Sequence, residues 1–223
     1  FVAYGVAFKI VAASGLLVFP FACWVFGRLA NFRHPIPELF AFGGLCFLLD
    51  ESFEIYGGNV KSTMAGEYSF SIALTLSVLG LGLLAHGLRT GRFRVWTAVV
   101  LSLAAVSHGI VLIFVAVAAI VMSLVWMDNK RAWYSVSVGI TTLMLSAWWV
   151  GPFLFGHEFM TDMKYGFRPS GSSDSFWDMF FPLTSGLDIL ITTLAIIGFA
   201  AMIVRRNLTG VALGIITLLF VVG

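Results

Sequence analysis

Long runs of apolar residues alternate with short polar or charged segments along the whole chain. The runs fall at about 10–31, 36–49, 68–88, 95–107, 110–127, 132–152, 187–204 and 210–223. Most of them approach the roughly 20 apolar residues that an α-helix needs to cross the hydrocarbon core of a bilayer. The pattern predicts an all-α fold, a polytopic transmembrane helical bundle of about eight membrane segments.

Two of these runs are short for a membrane crossing. At about 1.5 Å per residue, 36–49 and 95–107 reach only about 20 Å, against roughly 30 Å for the hydrocarbon core. Such segments either cross with little tilt, thin the bilayer around them, or are buried and re-entrant. One helix over 95–127 would be about 50 Å long, so we predict two passes that turn at Ser107-His108-Gly109 instead.

Composition agrees with a membrane protein. Hydrophobic residues make up 60% of the chain and charged residues only 11%, so no soluble core is required. The formal charge of +2 is too small to indicate a nucleic-acid partner. Cys23 and Cys46 both lie in apolar runs and are predicted to be small core residues. The chain starts at Phe1 and ends inside an apolar run at Gly223, so residues 1–223 are expected to be a fragment of a transmembrane domain.

Charged residues are segregated between the two predicted membrane faces. If the run 10–31 points inward, one side receives nine of the thirteen basic residues. These are Arg28, Arg33, Arg89, Arg92, Arg94, Lys130, Arg131, Arg205 and Arg206. By the positive-inside rule this side is cytoplasmic, which predicts a multi-pass protein of the inner (plasma) membrane. Most acidic residues then lie outside: Asp50, Glu51, Glu54, Glu67, Glu158, Asp162, Asp174 and Asp178.

The predicted outer surface has two substantial loops, at about 50–67 and 153–186. Long loops of mixed charge and aromatic content carry function more often than the helices that hold them, so we look for a site there. The second loop is predicted to begin where Pro152 ends a helix. The sequence contains no glycine-rich phosphate loop, no His-Glu-x-x-His pair and no Gly-x-Ser-x-Gly elbow.

The first outer loop contains the most informative carboxylates. A helix that continued through Asp50 and Glu54 would place both on one face about 6 Å apart, with Glu51 beside them. Such a pair can bind a divalent cation or raise one pKa for base catalysis, but a solvated helix end explains it too. Glu67 directly precedes an apolar run and is predicted at a helix N-terminus, where the macrodipole favours an anion. It either stabilises that helix or binds substrate or metal.

Other outer residues are candidates for contact with a phosphate or a sugar. His108 lies at the predicted outer turn, where it either bonds to a neighbouring helix or contacts substrate. Trp149 belongs to an aromatic stretch that suits either stacking on a sugar ring or the headgroup level. The outer cations are Lys61, Lys164 and Arg168, which either bind an anionic lipid phosphate or are solvated loop charges.

Three stretches carry a resemblance to known proteins. They are Gly57 to Ser71 (Gly-Gly-Asn-Val-Lys-Ser-Thr-Met-Ala-Gly-Glu-Tyr-Ser-Phe-Ser), Ser107-His108, and Ala147 to Phe153 (Ala-Trp-Trp-Val-Gly-Pro-Phe). Together they resemble a group of prokaryotic polytopic membrane proteins often labelled 6-pyruvoyl-tetrahydropterin synthase-related. The layout is also similar to the GT-C class of membrane glycosyltransferases. The resemblance spans roughly residues 36–155, and no chemistry in these residues matches the pterin label.

Membership of the GT-C class would imply a glycosyltransferase that moves a sugar from a polyprenyl-phosphate donor to a glycan or lipid acceptor on the outer face. It would also imply an acidic residue as base or metal ligand. The candidates are Glu67, Glu51 and Asp50 for catalysis, Asp50 and Glu54 for a Mg or Mn ion, and His108, Lys61, Lys164, Arg168 and Trp149 for substrate. In this class the acidic residue usually lies in the first outer loop, which is expected before Phe1.

Two hypotheses from other classes stay open. A transporter or flippase of a lipid-linked or anionic compound would use broken helices, for which Pro20 and Gly43-Gly44 together with the two short runs are candidates. A non-catalytic scaffold would hold other envelope proteins through its outer aromatic loops. Under either hypothesis, the surrounding membrane lipids are also partners of the chain.

Overall fold

A computed structural model of the protein describes residues 3–50, 57–156, 158 and 186–222. Within these ranges the regular structure is helical, which confirms the predicted all-α fold. The helices are α1 (Tyr4–Leu29), α2 (Ile36–Leu49), α3 (Val60–Met64), α4 (Tyr68–Thr90), α5 (Arg94–Ser107), α6 (Gly109–Val125), α7 (Asn129–Phe155), α8 (Gly186–Val204) and α9 (Leu208–Val222).

Three of these helices, α1, α4 and α7, are long and apolar enough to cross a membrane. The shorter helices α2, α5 and α6 are also apolar, as are the described parts of α8 and α9. Length and composition therefore indicate a membrane protein, as the sequence predicts. The structure divides into two compact units, residues Phe1–Phe155 and Gly156–Gly223, which we describe separately.

Helix α4 lies at the centre of the first unit because small residues cover the face that its neighbours contact. A side chain added at Gly15 of α1 would come within 2.6 Å of the α4 backbone at Ile72, so only glycine permits this approach. The hydroxyl of Thr75 donates to the Gly15 carbonyl at 2.9 Å and links the two helices. Close packing of small residues and interhelical hydrogen bonds are the usual means of association where the hydrophobic effect is absent.

Glycines on the other side of α4 allow α5 and α7 to pack closely against it. A β-carbon at Gly80 would lie 2.5 Å from Leu101, and one at Gly87 would overlap the Tyr134 ring and hydroxyl. Tyr134 is therefore buried against the α4 backbone. Its hydroxyl donates to the Arg92 carbonyl at 3.1 Å and lies 3.1 Å from the Thr97 hydroxyl.

Contacts between helices show which residues share an end of the first unit. The rings of Phe8 and Tyr68 meet at 5.3 Å, so α1 and α4 begin at the same end. At the opposite end Arg89 donates to the Leu29 carbonyl at 3.2 Å, and Arg131 donates to the Leu88 carbonyl at 3.0 Å. We call the first the acidic end (Asp50, Glu67 and His108) and the second the basic end (Arg28, Arg89, Arg92, Arg94, Lys130 and Arg131).

The predicted helix end at Pro152 is wrong. Helix α7 includes Pro152 and continues to Phe155. A proline removes only its own N–H from the helix ladder, and in the last turn the residues after it can still donate to earlier carbonyls. Pro20 is likewise contained within α1, which begins at Tyr4, six residues before the predicted start of the apolar run at residue 10.

The second unit contains the antiparallel pair α8 and α9. The backbone N–H of Gly210 donates to the side-chain oxygen of Asn207 at 3.0 Å, which caps the start of α9. Gly210 approaches Met202, so a β-carbon there would lie 2.5 Å from that side chain. The short connection thus pairs the two helices closely.

Candidate functional site

The backbone that leads into α4 is fixed by Asn59, which is fully buried. Its side-chain oxygen accepts from the Ser62 N–H at 2.8 Å and caps α3. Its side-chain nitrogen donates to the Asp50 carbonyl at 2.6 Å, so it also joins this loop to the end of α2. Gly58 has a φ of 75°, and a β-carbon there would lie 2.9 Å from Phe70. The loop therefore packs tightly against the first turn of α4.

Glu67 is held at the N-terminus of α4, as predicted from the sequence. Its backbone N–H donates to the Ser62 carbonyl at 3.1 Å, and its carbonyl accepts from the Phe70 N–H at 3.1 Å. The carboxylate itself makes no capping hydrogen bond to the helix. It is therefore available to a partner across the helix interface.

That partner is His108, which lies between α5 and α6 in an extended conformation. Its Nε2 atom is 3.5 Å from a Glu67 carboxylate oxygen, and its ring packs against Phe70 with centroids 4.8 Å apart. The His108 side chain is 18% exposed and that of Glu67 37%, so the carboxylate is the more accessible of the two. The other ring nitrogen, Nδ1, is buried and has no hydrogen-bond partner among the described residues.

Aromatic side chains of α7 lie beside the His108 turn. The rings of Trp149 and Phe153 stack with centroids 5.4 Å apart and an angle of 7°. A β-carbon added at Gly109 would lie 3.6 Å from Trp149, so the indole packs against the start of α6. Three elements of the acidic end, the α4 N-terminus, the α5–α6 turn and α7, therefore meet here.

Of the other candidates, the structure describes Asp50 and Lys61. Helix α2 stops at Leu49 and Asp50 is extended, so the helical spacing that predicts an Asp50–Glu54 pair does not apply at Asp50. Lys61 lies in the short helix α3, which Asn59 caps. The candidates Glu51, Glu54, Lys164 and Arg168 lie outside the described residues.

No cluster of three or more His, Cys, Asp or Glu side chains that could hold a metal occurs in the described part of the chain. Oxygen-rich coordination of Mg or Mn needs more ligands than the Glu67–His108 pair supplies. The divalent cation at Asp50 and Glu54 therefore stays a prediction, because it depends on residues that are not described.

Two residues that matter at this site were not identified from the sequence. An Asn directly before Val-Lys-Ser is a helix N-cap pattern, and it could have revealed the role of Asn59. The sequence shows that Phe70 follows Glu67 by three residues and shares its helical face. Its contact with His108 could not be predicted, because the two residues are far apart in the chain.

Comparison with known proteins yields no match: no family model, no curated protein and no solved structure matches this chain.

Proposed function

We propose that the chain is part of a membrane glycosyltransferase that moves a sugar from a polyprenyl-phosphate donor to a glycan or lipid acceptor. The observation that carries the proposal is the Glu67–His108 pair, 3.5 Å apart at the acidic end. A partly exposed carboxylate beside an imidazole suits general base catalysis, which needs an accessible acceptor for a proton and a group that orients it.

Glu67 would accept the proton of the acceptor hydroxyl. As that proton leaves, the acceptor oxygen forms a bond to the anomeric carbon of the sugar. The bond between this carbon and the phosphate oxygen breaks, and the electron pair departs with the polyprenyl phosphate. His108 would hold the Glu67 carboxylate in position for this proton transfer.

The remaining candidates have supporting roles in this proposal. Lys61, Lys164 and Arg168 would bind the donor phosphate as point charges or by paired hydrogen bonds. Trp149, already stacked on Phe153, offers an aromatic face to the sugar ring. Asp50, Glu51 and Glu54 would complete a cation site.

The membrane arrangement we propose has about eight crossings in a GT-C-like layout, with the acidic end on the outer face of the inner membrane. The grouping of basic residues at one end of the first unit supports this orientation. The transporter hypothesis relied on Pro20, on Gly43-Gly44 and on the two short runs as signs of broken helices. Both α1 and α2 are continuous through Pro20 and Gly43-Gly44, so these positions do not support a transporter.

The test is sugar transfer by the full-length protein in proteoliposomes, with a panel of radiolabelled polyprenyl-phosphate hexoses and acceptors extracted from cell envelopes. Loss of a general base typically costs a factor of about 10² to 10⁴, so Glu67→Gln should lower the rate by at least about 10². The matched control is Glu38→Gln, which removes an exposed carboxylate from α2 and should leave transfer unchanged. Equal activity of Glu67→Gln and Glu38→Gln would rule Glu67 out as the base.

The same assay separates the alternative functions. Movement of the labelled lipid between leaflets without transfer of its sugar would indicate a flippase. Neither movement nor transfer, with the protein folded, would indicate a scaffold. Both outcomes contradict the proposed enzyme.

A further inference from the structure

A groove of about 620 Å³ runs along the first unit between α6 and α7. Leu84 of α4 and Leu101 of α5 lie at its base, and almost all of its lining is apolar. This volume is within the 300–1,000 Å³ range of typical ligand sites. Its lining along α7 extends from Ala132 to Leu154, which spans about 33 Å at 1.5 Å per residue. The groove therefore matches the roughly 30 Å thickness of a hydrocarbon core.

The two ends of this groove differ in chemistry. At the basic end, Ser135 lines the groove and its hydroxyl oxygen is buried without a hydrogen-bond partner among the described residues. The indole nitrogen of Trp126, next to the groove but not in its lining, is also buried and unpartnered among those residues. One unused hydroxyl in the lining, at one end of an apolar channel, indicates a ligand that is apolar along its length and polar at that end.

Positive charge is fixed beside these donors. The Arg131 guanidinium lies 4.9 Å from the centre of the Trp126 ring, while its Nε donates to the Leu88 carbonyl at 3.0 Å. Its Nη1 is 3.1 Å from Asp128, so that acid offsets one charge, and the exposed Lys130 adds another. Arg131 and Ser135 are four residues apart and lie on one face of α7.

We infer that this groove binds an acyl chain of an anionic phospholipid from the leaflet at the basic end. The phosphate lies at Lys130 and Arg131, the Ser135 hydroxyl donates to a glycerol ester carbonyl, and the chain runs between α6 and α7. Basic pockets between transmembrane helices are a known way of holding anionic headgroups. A polyprenyl-phosphate donor fits this groove less well, because its phosphate belongs at the acidic end, next to Glu67.

The first experiment is native mass spectrometry of the full chain in detergent, with phosphatidylglycerol or phosphatidylcholine added at equal concentration. Phosphatidylglycerol should be retained in preference. A basic residue near the headgroup contributes about 1 kcal/mol, so Lys130→Gln should weaken this retention about fivefold. Arg33→Gln, which removes an exposed cation away from the groove, should leave it unchanged. Equal retention of the two lipids would overturn the inference.

A second pair of variants tests the groove without changing charge. Gly139 lines the groove, and a β-carbon added there meets nothing within 4 Å, so Gly139→Leu fills the channel without a clash in the protein. Gly151→Leu is the matched control, because Gly151 is in the same helix, also has open space at its β-carbon, and does not line the groove. Gly139→Leu should reduce phosphatidylglycerol retention at least about tenfold relative to Gly151→Leu.

Three further results would contradict the inference. Equal retention by the two glycine variants would place the lipid elsewhere. Displacement of phosphatidylglycerol by polyprenyl phosphate in the wild type but not in Gly139→Leu would assign the groove to the sugar donor. A dimer that Gly139→Leu dissociates would assign it to a second copy of the chain.

Discussion

The acidic and basic ends of the first unit use polar groups in opposite ways. At the basic end, Arg89 and Arg131 donate to carbonyls at the ends of neighbouring helices, and Arg94 lies 5.5 Å over the ring of Tyr134. At the acidic end, Asn59 fixes the backbone through hydrogen bonds. The carboxylate of Glu67 and the imidazole of His108, in contrast, make their main polar contact with each other.

The difference distinguishes polar groups that stabilise the fold from polar groups that are available for function. A guanidinium bound to helix-terminal carbonyls satisfies groups that the helix leaves open, so it stabilises the fold. A partly exposed Glu–His pair contributes little to stability, since exposed ion pairs are worth about 0–1 kcal/mol. Variants at the two ends should therefore change different properties, and four predictions test this comparison.

The largest effect on stability is expected at Asn59, a buried acidic-end side chain with a structural role. Asn59→Ala leaves the Ser62 N–H and the Asp50 carbonyl without this partner in a buried region. The expected loss is about 2–3 kcal/mol of unfolding free energy, measured by denaturant titration in detergent micelles. Asn129→Ala, at an exposed position, is the control and should stay within about 0.5 kcal/mol. A loss of the same size in both would show that the loop is not held by Asn59.

At the basic end, Tyr134→Phe removes only a buried hydroxyl. Its bonds to the Arg92 carbonyl and the Thr97 hydroxyl disappear, while the ring keeps its place against Gly87. We expect a loss of about 1–2 kcal/mol in the same titration. Tyr4→Phe, at a side chain that is 85% exposed, should be neutral. An unchanged midpoint in Tyr134→Phe would mean that the hydroxyl does not join α5 to α7.

A smaller effect is expected from Arg131→Lys, which preserves charge. The ammonium cannot reproduce both the Nε bond to the Leu88 carbonyl and the planar contact with Trp126. The expected loss is about 1 kcal/mol, read from the midpoint of thermal unfolding. If the same exchange at the exposed Arg33 costs as much, the fixed geometry of Arg131 is not what stabilises this end.

The smallest stability change is expected for Glu67→Gln, the variant with the largest expected effect on transfer. Because the pair with His108 is partly exposed, its loss should cost no more than about 0.5–1 kcal/mol. Circular dichroism during thermal unfolding measures this. Unfolding of Glu67→Gln at the temperature of Asn59→Ala would make Glu67 a structural residue and would remove the contrast between the two ends.

The apolar pattern was sufficient to predict eight of the nine helices in the described residues. Every predicted run corresponds to a helix, because a run of apolar residues in a membrane leaves the backbone little alternative to internal hydrogen bonding. The break at His108 was also predictable, since one helix over 95–127 would have been too long. The pattern missed α3, whose five residues are of mixed polarity and too few to show a period.

The site was only partly predictable, for two physical reasons. Glu67 and His108 were each identified from their local context, but their pairing depends on how α4 packs against the α5–α6 turn. The Asp50–Glu54 prediction assumed that α2 continues, whereas Asp50 is extended and Asn59 bonds to its carbonyl. Likewise, the effect of Pro152 on α7 depended on its place in the last turn rather than on proline alone.

The Thr75–Gly15 hydrogen bond also constrains the order of biogenesis, because its two residues are 60 positions apart in the chain. At a translation rate of about 5–20 residues per second, α1 emerges from the ribosome roughly 3–12 s before the part of α4 that covers it. During that interval α2 can shield only the second half of α1, where Gly44 meets Cys23. Until α4 is inserted, the first half of α1 therefore lies against lipid, and the Gly15 carbonyl lacks its bond from Thr75.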